Sequence, residues 1–266
     1  DITNSFFSSV IKGAQAVSRQ EGYSVLLSDS DENEAFEKEA LQLMLEKQVN
    51  GLVLASTGQN AKKIDLFRQQ QVPIVFIDNV PMRLSDFDSV TTNNYQAAYT
   101  LTGMLIQKGY RQIGMITGPL AQSSALHRYH GFTAAMQEHG VSINREWIRH
   151  GDFRLSGGQA AMADILCLDA AERPRAMVIS NNFMTYGAVR AIRDRGLSIP
   201  GDIAVASFDT SDMTSLATLS IASMNQNPEE IGARAVALII SRMQSASAPS
   251  CVNIVLDPVF VDGNSW

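Results

Sequence analysis

Ala176-Met177-Val178-Ile179, running into Ser180-Asn181-Asn182, and Asp202-Ile203-Ala204-Val205-Ala206-Ser207-Phe208-Asp209, closing on a carboxylate, decide the fold of this chain. Each is a continuous apolar run of strand length with a polar side chain at its C-terminal tip. Runs without polar alternation belong to strands covered on both faces. Between them Met184, Gly187, Ala188, Ala191 and Ile192 recur at i, i+3, i+4, i+7 and i+8, an apolar helical stripe, and Gly196 supplies a left-handed stop. Residues 176–209 therefore read as a βαβ unit. In open α/β sheets ligands bind beyond the C-terminal ends of the strands, so Asn181 and Asp209 mark half of a small-molecule site.

The same alternation extends along the chain. Residues 23–27, 51–54, 73–77, 113–116, 176–179 and 203–206 are short, mostly β-branched apolar runs, separated for the most part by amphipathic stretches of helical length. Such alternation predicts doubly covered parallel sheets. The number of strands exceeds one ordinary sheet and predicts two α/β subdomains, divided near Gly109-Tyr110-Arg111. After Ile221 the pattern changes. Asn227-Pro228-Glu229-Glu230 reads as the capped start of a helix, with Asn227 as N-cap and Glu230 reaching back, and its stripe is Ile231, Ala235, Leu238 and Ile239. The Ser/Ala/Pro patch 245–250 reads as a loop before a last strand, 252–261.

At 266 residues with 45% apolar and 18% charged content, the chain has the material for a sizeable core. A formal charge of −6 without a Lys/Arg run argues against this stretch gripping a phosphate backbone or an anionic membrane. No run has the 18 or so apolar residues of a membrane span, and no charged-then-apolar leader opens the sequence, which points toward the cytoplasm. Cys167 and Cys251 read as two buried thiols rather than a disulfide.

Catalytic signatures are scarce. There is no phosphate-binding glycine loop, and Gly114-Met115-Ile116-Thr117-Gly118-Pro119 reads as a structural turn. His127 and His130 share a helix face without accompanying ligands, so no metal and no cofactor are expected. No Gly-x-Ser-x-Gly elbow anchors a hydrolase triad. Asp29, Asp78 and Asp209 sit at predicted strand ends, where aspartates cap helices and accept hydroxyl hydrogen bonds more often than they act as acids or bases. The expectation is a protein that is not an enzyme.

Several spaced motifs together carry a family resemblance. Asn4-Ser5-Phe6-Phe7 leading to Lys12-Gly13, Gly22-Tyr23, Val49-Asn50-Gly51-Leu52-Val53-Leu54, Gly109-Tyr110-Arg111-Gln112-Ile113-Gly114, Gly118-Pro119, Arg128-Tyr129-His130-Gly131-Phe132 and the 176–209 unit occur in that order. The chain resembles the effector-binding core of the lactose-repressor (LacI/GalR) family, with its periplasmic-binding-protein-like (type I) fold. The resemblance implies an α/β protein of two Rossmann-like, doubly wound parallel-sheet lobes joined by crossover segments. One lobe is expected from 1–109 plus 226–251, the other from 110–225 plus 252–266. It also implies a sugar-sensing domain of a DNA-binding transcriptional regulator, a ligand between the lobes, a homodimer, and operator binding by a helix-turn-helix that, with a first strand, precedes the residues seen here.

By the same resemblance, ligand contacts fall on Arg128, Asn181, Asp209, Phe153, Phe7, Asn94, Gln226 and Asp29. Arg128 offers a planar fork for paired hydroxyls or a carboxylate. Helix capping is the structural alternative for Asn181 and Asp209, and core packing for Phe153 and Phe7. Asn93, Asn182 and Thr210 stand where the family usually carries aspartate, which suits a more acidic ligand than a neutral sugar. The expected effector is a monosaccharide or sugar acid, with a purine as the alternative because Phe153 is equally able to stack on a base. A periplasmic sugar-binding protein and a sugar-phosphate enzyme are the other readings.

Overall fold

The computed structural model describes residues 1–81, 86–210, 218–245 and 250–266. Contacts divide the chain into two compact units, Asp1–Thr92 with Asn227–Leu256 (unit 1) and Asn93–Gln226 with Asp257–Trp266 (unit 2). Unit 1 holds α1 (Ser5–Gln20), α2 (Glu34–Glu46), β1 (Leu52–Leu54), α3 (Ala61–Gln69), β2 (Ile74–Ile77), β3 (Asp88–Thr92), α8 (Pro228–Gln244) and β9 (Asn253–Leu256). Unit 2 holds α4 (Asn94–Gln107), β4 (Ile113–Thr117), α5 (Ser123–Glu138), β5 (Ile148–His150), α6 (Leu155–Leu166), β6 (Ala176–Ile179), α7 (Asn182–Asp194), β7 (Ala204–Phe208), β8 (Ala222–Asn225) and β10 (Val259–Val261). The division falls at Thr92/Asn93 rather than near Gly109, because α4 packs against α5 and β8 of the second unit.

The sheet of unit 2 has the order β10-β8-β7-β6-β4-β5, parallel except for β10, which runs antiparallel to β8. Its two faces are sorted by alternate residues of the same strands. Ala176, Val178, Ala204, Ala206 and Phe208 join the core under α4 and α5. Met177, Ile179 and Val205 join the core under α6 and α7. This is why β6 and β7 read as unbroken apolar runs: either face buries what it carries. Gly196, at φ +70, closes α7 as its sequence predicts.

The unit 1 sheet has the order β1-β2-β3-β9 and is parallel throughout. Phe6, Val10, Ile231, Ala235 and Ile239 from α1 and α8 cover one face, and Leu41, Met44, Ile64 and Phe67 from α2 and α3 the other. Three helix pairs, α1 with α8, α4 with α5 and α6 with α7, meet at glycines. A Cβ at Gly232 would lie 1.9 Å from the Val10 carbonyl oxygen, at Gly131 2.1 Å from that of Tyr95, and at Gly187 2.0 Å from that of Leu155. Backbone meets backbone at these seams, with no room for a side chain.

The structure departs from the sequence reading at several points. Residues 23–27 form no strand. The last strand is two, β9 in one sheet and β10 in the other, because Pro258 lacks a ladder donor where the chain passes between sheets. Asn227 makes no side-chain cap bond, and Glu230 holds Arg234 at 3.1 Å instead of reaching back. Both thiols are exposed, Cys167 at the C-terminal end of α6 and Cys251 just before edge strand β9. Of the expected loop 245–250, residues 246–249 lie outside the described residues. Among the described residues no helix is long and apolar enough to cross a membrane.

Candidate functional site

Parallel strands bring their C-terminal tips to the same end of a sheet, so the tips of β4, β6 and β7 deliver their following residues together. Arg128, Asn181, Asp209, Phe153, Asn94 and Gln226 all belong to unit 2. Arg128 is held on α5 and is 3% exposed. Its Nε donates to Asn94 Oδ1 at 2.7 Å, one terminal nitrogen donates to the Ser180 carbonyl beyond β6, and the guanidinium lies 4.2 Å above the Phe208 ring centroid. The cation is thus fixed by α4, β6 and β7 at once. Charge-assisted bonds and a cation–π contact are stronger where water is excluded, which is what allows a guanidinium to be buried here.

Asp209 follows β7 in the left-handed region at φ +55. Its Oδ1 accepts the Gln226 backbone N–H at 2.9 Å and its Oδ2 the Gln226 side-chain Nε2–H at 2.6 Å. Burial pushes its carboxyl above the ordinary value, outweighing the Arg128 charge and the two Gln226 hydrogen bonds, which pull it down. Gln226 is also the residue at which the chain leaves unit 2.

Asn181 caps α7, its Oδ1 accepting the Met184 N–H at 3.0 Å, while its Nδ2 donates to the Phe153 carbonyl at 2.8 Å. One amide therefore starts the helix and pins the loop after β5. Phe153 sits there at φ +64, a conformation that bulky residues rarely adopt. Its half-buried ring crosses Gly118, where a Cβ would lie 2.2 Å from Phe153 Cζ. Gly118 thus serves ring packing, in keeping with a structural turn.

Phe7 and Asp29 lie in unit 1. Phe7 packs edge-on to Phe6 with centroids 5.0 Å apart. Asp29 accepts from the Ile2 N–H at 3.4 Å and from the Asp31 N–H at 3.0 Å. Burial works to raise its carboxyl, but the Asp31 and Ile2 N–H groups leave it below the ordinary value.

Sequence reasoning missed Ser180 and Phe208 as site components. Ser180 supplies a carbonyl to Arg128 and carries a buried hydroxyl without a hydrogen-bond partner among the described residues, and Phe208 is the floor under the guanidinium. Their signal was their place at the ends of two fully buried strands. Asn93 and Thr210, two of the aspartate replacements, are engaged structurally: Asn93 caps α4 and donates to Asp257 at 3.1 Å, and the Thr210 hydroxyl donates to Ser223 at 2.7 Å. Among the described residues no group of three or more His, Cys, Asp or Glu is placed to hold a metal ion.

Residues 102–266 match the model of the periplasmic binding protein-like domain. The ribose operon repressor of Escherichia coli K12 is 30% identical over 99% of this chain and 79% of its own length. The chain belongs to the LacI/GalR family. Another LacI/GalR relative, the HTH-type transcriptional repressor PurR of Pasteurella multocida, is 29% identical over 93% of this chain and 73% of its own length. The crystal structure of a putative ribose operon repressor from Burkholderia thailandensis aligns with a TM-score of 0.88 at 28% identity, covering 98% of this chain and 95% of that one. The LacI/GalR chain described here is the effector-binding domain of a transcriptional regulator, and its relatives are repressors rather than enzymes.

Proposed function

We propose that the strand-tip site of unit 2 binds a polyhydroxylated effector, a monosaccharide or sugar acid, through Arg128 and Asp209 with Phe153 as an apolar wall. The observation that carries this reading is the fixed Arg128 guanidinium near a half-buried carboxylate whose side-chain partner is a neutral amide. A carboxylate only accepts and a guanidinium only donates, while sugar hydroxyls do both and sugar C–H faces suit an aromatic wall. Two left-handed non-glycine residues, Phe153 and Asp209, flank the site, and such backbone strain gathers where side chains are aimed for function. Asn94, Asn181 and Gln226 act in this reading by holding Arg128, Phe153 and Asp209 in place. That the E. coli and B. thailandensis relatives are named as ribose operon repressors also supports sugars as the class to screen first. Binding proceeds without turnover and biases the regulator between two states by differential affinity. Thermal shift against sugars, sugar acids and purines tests the class: stabilisation by sugars is expected, and stabilisation by purines alone overturns it.

The raised Asp209 carboxyl sets a pH dependence. A ligand hydroxyl donating to Asp209 needs the ionised form. Affinity is therefore expected to fall on acidification, and to do so at a pH above the ordinary carboxylate value of about 3.9. Asp209→Asn is expected to bind more weakly and to lose this dependence. Calorimetry of a sugar ligand across that range checks it, and an unchanged pH profile in the variant counts against Asp209 as the acceptor.

We also propose that the regulator is a homodimer reaching operator DNA through a separate helix-turn-helix, a reading supported by family membership. Sedimentation at tens of micromolar is expected to show a dimer, and a monomer there refutes it.

A further inference from the structure

Ser180 directly follows β6, and its backbone N–H still donates to the Ile116 carbonyl at 2.9 Å, so it continues the ladder of the sheet. Successive strand residues point to opposite faces. Ala176 and Val178 lie in the core under α4 and α5, so Ser180 turns to that face, as Phe208 does at the end of β7. The pairings of Ile116 with Ile179 and of Val178 with Ala206 then set Thr117, Ser180 and Phe208 in one row across β4, β6 and β7. Neighbouring strands stand about 4.8 Å apart. The Ser180 side chain is therefore next to the Phe208 ring, over which the Arg128 guanidinium lies, and Arg128 also donates to the carbonyl of Ser180 itself.

This hydroxyl is the exception in its surroundings. Thr117 Oγ1 donates to the Gly118 carbonyl at 3.0 Å, the Thr185 and Ser207 hydroxyls share a bond of 2.5 Å, and Thr210 donates to Ser223 at 2.7 Å. Ser180 is fully buried, and its Oγ is the one such side-chain atom of unit 2 without a hydrogen-bond partner among the described residues. Alanine would fill the same space without burying a hydroxyl whose desolvation nothing here offsets. A single χ1 rotation redirects a serine oxygen among its staggered positions and leaves the backbone in place.

We propose that Ser180 is a specificity-determining residue of this site: its hydroxyl donates to the same effector oxygen group that Arg128 binds, and the pair selects a carboxylate over a lone hydroxyl. The inference rests on the sugar or sugar-acid reading above and deepens it. Two donors from one side fill both lone pairs of a hydroxyl oxygen and leave its own proton facing a cation. A carboxylate has about four acceptor positions, no proton to misplace, and the charge that complements a guanidinium. Asp209, which only accepts, is left to the hydroxyls of the ligand.

Calorimetry of hexuronates and pentonates beside their neutral sugars, on the wild type, Ser180→Ala and Ser180→Cys, tests this together with thermal unfolding of the ligand-free proteins. The acids are expected to bind more tightly than the neutral sugars. Ser180→Ala is expected to weaken the acids by roughly tenfold or more, the scale of one hydrogen bond to a charged group, and to change the neutral sugars less. Ser180→Cys, a weak donor of similar size, is expected to fall between the two. The unfolding temperature of Ser180→Ala without ligand is expected to stay the same or rise, since no bond within the chain is lost. Unchanged acid affinity, equal weakening of acids and neutral sugars, or a lowered unfolding temperature overturns the assignment and leaves the sugar reading standing. Binding of purines alone, or of none of these probes, overturns the sugar reading and the assignment with it.

Discussion

Arg128→Ala is expected to lower the unfolding free energy by about 3–5 kcal/mol and to weaken effector binding by roughly 10- to 150-fold. The stability figure is that of removing one partner from a buried charged cluster. Its physical content is the loss of two hydrogen bonds, to Asn94 and to the Ser180 carbonyl, and of the cation above Phe208. Asn94 and the Ser180 carbonyl then lose this donor, and Asp209 loses the positive charge that opposes its burial. If the guanidinium also contacts the ligand as proposed, each lost charged hydrogen bond is worth about 1.5–3 kcal/mol, or roughly 10- to 150-fold in affinity. Arg128→Lys keeps the charge but not the fork and is expected to recover less than half of the stability. Urea denaturation of both variants with ligand titration measures the two effects, and a loss below about 1 kcal/mol for the alanine variant would show that the cluster is not structural.

Gly187→Ala is expected to destabilise the chain by about 1–3 kcal/mol, the usual range for overpacking, or more if the backbone cannot shift. In an exposed helix the same change stabilises by about 1 kcal/mol, because alanine is the better helix former. The sign reverses here because the new Cβ would lie 2.0 Å from the Leu155 carbonyl oxygen and 2.7 Å from the Gln159 nitrogen, neither of which can rotate away. Gly103 in α4 is the control: its Cβ would meet only the His139 ring at 3.9 Å, so Gly103→Ala is expected to be neutral or stabilising. Thermal unfolding of the pair separates seam packing from helix propensity, and equal effects from both substitutions would refute the seam.

The doubly covered parallel architecture was legible wherever strands bury both faces, as β6 and β7 do, since their composition needs no knowledge of partners. β3, β5 and β8 were not legible. Asp88-Ser89-Val90-Thr91-Thr92 carries polar residues whose partners are remote in sequence: Ser89 pairs with Asn253, and Asp88 with Arg242. β5 and β8 are likewise short and mixed, and only the neighbouring strand makes them strands. Residues 23–27 failed in the opposite sense, with strand composition but no neighbour. In the site, strand-tip position singled out Asn181 and Asp209, and family resemblance brought in Arg128. The bonds that define their roles, such as Asn181 to the Phe153 carbonyl, join residues 28 apart and leave no trace in spacing.

The glycine seams bear on how a unit can move. Two helices in direct backbone contact have no layer of side chains to slide on, so α6 and α7, or α1 and α8, answer a load as one stiff plate. Compliance inside a unit is then confined to what the plates do not include, namely the short loops beyond the strand tips. In unit 2 those loops carry Asn181 and Asp209, and what restrains them is their own hydrogen bonds, to the Phe153 carbonyl and to Gln226, rather than helix packing.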